Sequence, residues 1–119
     1  MYSDSLLDHF QNPRNVGELP APAVTAEVTN PACGDILRLS ALVEDNRINA
    51  VAYKVRGCTA SIAAGSALTT LIWGKQVSEA ALLRPADVEA ALGGLPAESR
   101  HAAVLCCDAL KVLVRLLGT

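Results

Sequence analysis

The sequence predicts an α+β fold: a three-stranded antiparallel sheet packed against helices, with a long C-terminal helix. Three observations carry that prediction. Residues 24–29 and 36–43 alternate apolar and polar side chains with the two-residue period of half-buried strands. Residues 47–56 resume the pattern after Asp45-Asn46, two residues that tolerate positive φ and so suit a hairpin turn. Residues 98–117 then carry Ala102, Leu105, Cys106, Ala109, Leu113 and Leu116 at helical spacing, with Lys111 and Arg115 facing away. A chain of 119 residues suits one domain over residues 1–119 with a single core.

Taken in order, Ser3 or Asp4 caps a short helix through Phe10, with Leu6, Leu7 and Phe10 on its apolar side and His9 as a surface residue. Asn12-Pro13 ends it, and the Pro and Gly punctuation of residues 11–23 reads as an extended connector over the body. After the three strands, Gly57-Cys58-Thr59 starts a helix over residues 60–73, with Thr59 and Ser61 as caps. Its run of small residues allows close approach to the sheet, and Gly74-Lys75 closes it. Short helices follow at residues 78–83 and 85–92, the second opened by Pro85. Gly93-Gly94-Leu95-Pro96 breaks the chain before the final helix.

Composition narrows the function. With 51% hydrophobic and 18% charged residues, the chain is built to pack rather than to remain disordered. A net charge of −2 and only four aromatic side chains, Trp73, Tyr2, Tyr53 and Phe10, supply neither a basic field nor a stacking platform for nucleic acid. No apolar run reaches membrane-spanning length, and Met1-Tyr2-Ser3-Asp4 lacks the basic and apolar regions of a signal peptide, so no membrane partner and a cytoplasmic location are expected. In that compartment four cysteines read as ligands, nucleophiles or core fillers rather than disulfides.

The stretch Asn30-Pro31-Ala32-Cys33-Gly34-Asp35 places a thiol and a carboxylate two residues apart on a turn between strands. Cys58 sits beside a helix start with Lys54 and Arg56 nearby, surroundings that favour the thiolate, which is the ligand form. His101 opens the last helix. Cys33, Asp35, Cys58 and His101 thus all fall at junctions between elements, and two thiolates, an imidazole and a carboxylate suit tetrahedral zinc or iron. The spacing alone leaves ordinary core and turn roles equally open for each of them.

The same residues carry a resemblance. Asn12-Pro13-Arg14-Asn15-Val16-Gly17, Asn30 through Asp35, Gly57-Cys58 before a small-residue helix, Gly74-Lys75, Leu95-Pro96 before His101, and Asp108-Ala109-Leu110 resemble, in that order, the NifU/IscU-type iron-sulfur cluster scaffold family. The resemblance spans nearly the whole chain. It implies the α+β fold already read, and a scaffold that assembles a 2Fe-2S cluster. Sulfur would come from a cysteine desulfurase and iron from an iron donor, and the cluster would pass to recipient apo-proteins. It also implies that Cys33 and Cys58 are cluster or metal ligands, that Asp35 is the carboxylate linked to cluster lability, and that His101 is the histidine of the family's His-Cys pair.

The chain departs from the family pattern at two places. Ala102 stands where the family has its third cysteine, often the sulfur acceptor, so the resemblance stops short of a third thiolate. Cys106, four residues on and about 6 Å along the axis, lies on the same helical face as a substitute ligand or, on the stronger reading, as a core residue. Cys107 points away as a bystander. After Leu95-Pro96 the chain reads Ala97-Glu98-Ser99 instead of the segment that engages an Hsp70-type chaperone in some relatives. The expected function is a scaffold or carrier of iron or a 2Fe-2S cluster, not an enzyme, with the cluster labile. The alternatives are a zinc-bound regulator or assembly partner that cannot accept sulfur, and a thiol sulfurtransferase or redox module using Cys58, or Cys106 with Cys107.

Overall fold

The structure, a computed structural model, describes residues 1–118; Thr119, the last residue of the expected 1–119 domain, lies outside the described residues. Strands β1 (Val24–Thr29), β2 (Ile36–Glu44) and β3 (Arg47–Arg56) form an antiparallel meander in that order. Directly opposed residues share a face, and the ladder stacks them in rows: Val24, Ala41 and Val51; Ala26, Leu39 and Tyr53; Val28, Leu37 and Val55. This is the dry face, as the alternation predicts. The opposite face is a polar ladder in which Thr25 bonds Ser40, and Arg38 pairs with Glu27 at 2.8 Å and with Glu18 of the connector at 2.9 Å. Asp45 and Asn46 both take positive φ in the β2–β3 turn, as expected.

Helices α2 (Thr59–Ile72) and α5 (His101–Leu116) cover the dry face, α2 over β3 and α5 over β1 and β2. The small residues of α2 let it settle onto the sheet. A Cβ on Gly65 would stand 2.4 Å from Tyr53 Cε2, and the Tyr53 hydroxyl donates to the Ile62 carbonyl at 2.7 Å. The connector after α1 (Asp4–Gln11) pairs with the free edge of β3: Tyr53 N–H donates to Asn15 O and Gly17 N–H donates to Tyr53 O. An otherwise open sheet edge is covered in this way.

The first helix differs from expectation. Only Leu6 of its apolar side is buried; Leu7 and Phe10 are exposed. Polar contacts do the docking instead, because the Ser5 and Ser3 hydroxyls donate to the Ala91 and Leu92 carbonyls that α4 (Pro85–Ala91) leaves unpaired at its C-terminus. His9 is half-buried rather than a surface residue: its Nδ1 lies 2.7 Å from Ser66 Oγ, which also accepts the Arg14 backbone N–H. Helix α3 (Val77–Ala80) is shorter than expected, and α5 starts three residues later, because Ala97–Ser99 form a separate 3-10 turn after Pro96.

Two measurements check this packing. Gly65→Ala is expected to lower the unfolding free energy in urea: overpacking of about 1–3 kcal/mol against the Tyr53 ring exceeds the roughly 1 kcal/mol that alanine contributes over glycine in a helix. For His9, burial and then the Arg14 charge hold the imidazole below its ordinary value, against the opposing pull of Asp8. The unfolded chain therefore binds this proton first. Stability that is complete above about pH 6.5 falls as the pH drops toward the folded value. His9→Gln is expected to flatten that part of the stability–pH curve, measured by denaturant melts between neutral and mildly acidic pH.

Candidate metal centre

Sheet register brings the candidate residues together. Ile36 pairs with Thr29 on one side and with Arg56 on the other, so residues 30–35 and the junction at 57–58 leave the same end of the sheet. Asn30 builds the turn: its N–H donates to Asp35 O, its carbonyl accepts Gly34 N–H, and its Oδ1 accepts Ala32 N–H at 2.9 Å. Gly34, at φ +78°, supplies the left-handed step that lets the loop close so tightly. Cys33 is left exposed on the turn, while Asp35 is only 7% exposed.

The Asp35 carboxylate rests on the Gly57-Cys58 peptide, where a Cβ on Gly57 would stand 2.6–3.0 Å from its atoms. Burial pushes this carboxyl up, but hydrogen bonds from the Ser61 hydroxyl, the Cys58 backbone amide and the Cys58 and Cys33 thiols outweigh it. They hold the group below the ordinary carboxylate value. Cys58 is the N-cap residue of α2, exposed and making no side-chain cap bond. Its Sγ lies 3.6 Å from Asp35 Oδ2 and 3.8 Å from His101 Nε2.

His101 begins α5, and its Nδ1 lies 3.1 Å from the Glu98 carbonyl. A carbonyl only accepts, so Nδ1 carries a proton, and when Nε2 is unprotonated its lone pair faces Cys58 and Asp35. That nitrogen is 3.9 Å from Asp35 Oδ2. Donor atoms of Cys33, Asp35 and His101 all lie within 4.8 Å of one another, and Cys58 stands beside the trio. Tetrahedral zinc with ordinary bond lengths sets its donors about 3.3–3.8 Å apart. The separations from Cys58 Sγ to Asp35 Oδ2 and to His101 Nε2, at 3.6 and 3.8 Å, fall within that spacing, whereas the 3.9 Å between His101 Nε2 and Asp35 Oδ2 is wider than an ion would hold them. The donor set fits as well: two thiols, an imidazole nitrogen with a free lone pair, and an ionised carboxylate.

Cys33, Asp35, Cys58 and His101 are therefore brought together, and Cys106 is not. Cys106 is 1% exposed within the core, where burial and then Cys107 push its thiol up. Cys107, expected as a bystander, is also buried. Burial raises its pKa to about 11. Thiolate is the nucleophilic form, so neither of these two cysteines is set up for sulfur transfer. Ala102 is fully buried beside His101.

Two contributors were not read as part of the site from the sequence. Ser61, expected as a cap, instead donates its hydroxyl to Asp35 Oδ2 at 2.6 Å. Gly57 matters for clearance, not for turning. The spacing from Cys58 to Ser61, one helical turn, was the available signal; the partner Asp35, far off in sequence, was not readable from it. A thiol-reactive dye is expected to label Cys33 and Cys58 rapidly in the folded protein and Cys106 and Cys107 only after denaturation. Mass mapping of the labelled peptides checks this.

The NifU-like N terminal domain model matches residues 1–116. The iron-sulfur cluster assembly scaffold protein IscU 1 of Archaeoglobus fulgidus is 43% identical over 111 residues, covering 93% of this chain and 72% of that protein. The IscU scaffold of Azotobacter vinelandii is 41% identical over 118 residues, covering 96% and 91%. Among solved structures, the N-terminal part of a nitrogen-fixing NifU-like protein from Brucella abortus aligns with a TM-score of 0.75 at 20% identity over 95% of this chain and 91% of that one, a likeness of fold alone.

Proposed function

The chain belongs to the NifU-like N-terminal domain family, and from that premise we propose that residues 1–119 act as one scaffold unit for iron-sulfur cluster assembly. In this reading Cys33, Asp35, Cys58 and His101 hold iron or a 2Fe-2S cluster as cargo. A cysteine desulfurase supplies sulfur, an iron donor supplies iron, and apo-proteins receive the product. An Hsp70-type chaperone is a further candidate partner through Leu95-Pro96, which is half-buried before the 3-10 turn. The protein would work in the cytoplasm as a carrier, not as an enzyme with turnover.

The observation that carries this reading is the grouping of Cys33, Asp35 and His101 donors within 4.8 Å of one another, with exposed Cys58 against Asp35 and His101. Two of the four are oxygen and nitrogen, which hold an iron-sulfur cluster less tightly than thiolate does, so the cluster is labile. The same donor spacing favours a second reading. The 3.6 and 3.8 Å from Cys58 Sγ to Asp35 Oδ2 and His101 Nε2 are separations a single ion can span, as in a zinc-bound regulator or assembly partner.

Anaerobic incubation with ferrous iron, cysteine and a cysteine desulfurase separates the two. Sulfur-to-iron charge-transfer absorbance, with matching iron and acid-labile sulfide, is the expected result. A protein that gains no such absorbance and retains one zinc per chain overturns the scaffold reading in favour of zinc.

A further inference from the structure

We infer that Ser61 is a positioning residue for Asp35, holding the carboxylate so that Oδ2 faces Cys58 and His101. This rests on the metal-binding reading of the site. Ser61 lies in the first turn of α2 and is 2% exposed. Its Oγ is 2.6 Å from Asp35 Oδ2 and 3.4 Å from Cys58 Sγ. The oxygen that receives the Ser61 hydroxyl is the one that stands 3.6 Å from Cys58 Sγ and 3.9 Å from His101 Nε2.

A carboxylate can rotate about its Cβ–Cγ bond. Here the rotation is fixed from two sides: Gly57 leaves no more than the room the group occupies, and Ser61 takes one lone-pair direction of Oδ2. The remaining lone-pair direction is left for the site. Ser61 comes from the same helical turn as Cys58, so one rigid element aims a thiol directly and a carboxylate indirectly. Ligating carboxylates are commonly held by such hydrogen bonds, and losing one weakens metal affinity by about 10- to 100-fold.

Cobalt(II) binding to the whole chain under anaerobic conditions, followed by its visible bands and by competition with a chelator, tests this. Ser61→Ala is expected to bind cobalt about 10- to 100-fold more weakly and with altered ligand-field bands. Ser61→Thr, which keeps the hydroxyl, is expected to bind as the wild type does. In an Asp35→Ala background the serine has nothing to position, so adding Ser61→Ala is expected to change nothing. Wild-type affinity in Ser61→Ala, or an equal further loss in the Asp35→Ala background, overturns the inference and leaves the metal site standing. A wild-type chain that binds no cobalt overturns the metal-binding reading itself. If Ser61→Ala does not fold, as judged by circular dichroism, the threonine variant and the double variant decide: the inference falls unless the first matches wild type and the second matches Asp35→Ala.

Discussion

The seat of the Asp35 carboxylate is the constraint on which the candidate centre depends. A buried carboxylate is costly unless its charge is met by donors. The donors here belong to α2: the Ser61 hydroxyl, the Cys58 amide and the Cys58 thiol, joined by Cys33 from the turn itself. An anion placed at a helix N-terminus is also favoured by the helix dipole. The β1–β2 turn is thereby clamped to the start of α2. Gly57 makes the clamp possible, since any side chain there would occupy the space of the carboxylate.

That clamp is only as well placed as α2, and Tyr53 governs the placement. Its main chain holds the connector along the β3 edge, its ring fills the space left by Gly65, and its hydroxyl satisfies the Ile62 carbonyl. Burial, with Cys106 nearby, pushes its phenol up to about 12, so the hydroxyl stays a donor across any ordinary pH. Along the same helix, Ser66 and Thr69 receive His9, Arg14 and Asn15, which ties the Asn12-to-Gly17 segment to the helix that presents Cys58. Segments without ligands of their own thus hold the element that carries two of the site's residues.

The strands were legible because alternation is enforced by burial on one face, and β3 falls within the expected residues 47–56. The hairpin was legible because Asp45 and Asn46 are suited to positive φ. Less readable were the places where polar contacts override apolar pattern. Helix α1 docks through serine hydroxyls on orphan carbonyls, leaving Leu7 and Phe10 outside, and the start of α5 yields to a 3-10 turn whose Glu98 carbonyl then orients His101. The site shows the same division. Its four candidate donors stood out by residue type and junction position, with ordinary roles equally open until the family resemblance was weighed, whereas the serine and the glycine clearance depend on contacts between distant segments that no local pattern encodes.

The candidate centre has two thiols and not three because residue 102 is alanine and no other thiol of α5 reaches the site. His101 opens the helix with a partly exposed ring, but the next residue, about 100° round the helix axis, is already in the core: Ala102 has no accessible surface. Cys106 repeats the direction of Ala102 one turn later and, about 6 Å farther along the axis, lies in the same core. The spacing that makes Cys106 look like a replacement is therefore what removes it from the site. In the proposed centre α5 would contribute a nitrogen alone, with Asp35 as the remaining donor. Such a mixed set favours zinc and iron over softer ions and grips a sulfide-bridged cargo weakly. On this view the balance between holding and release rests on the carboxylate and its seat, not on a third sulfur.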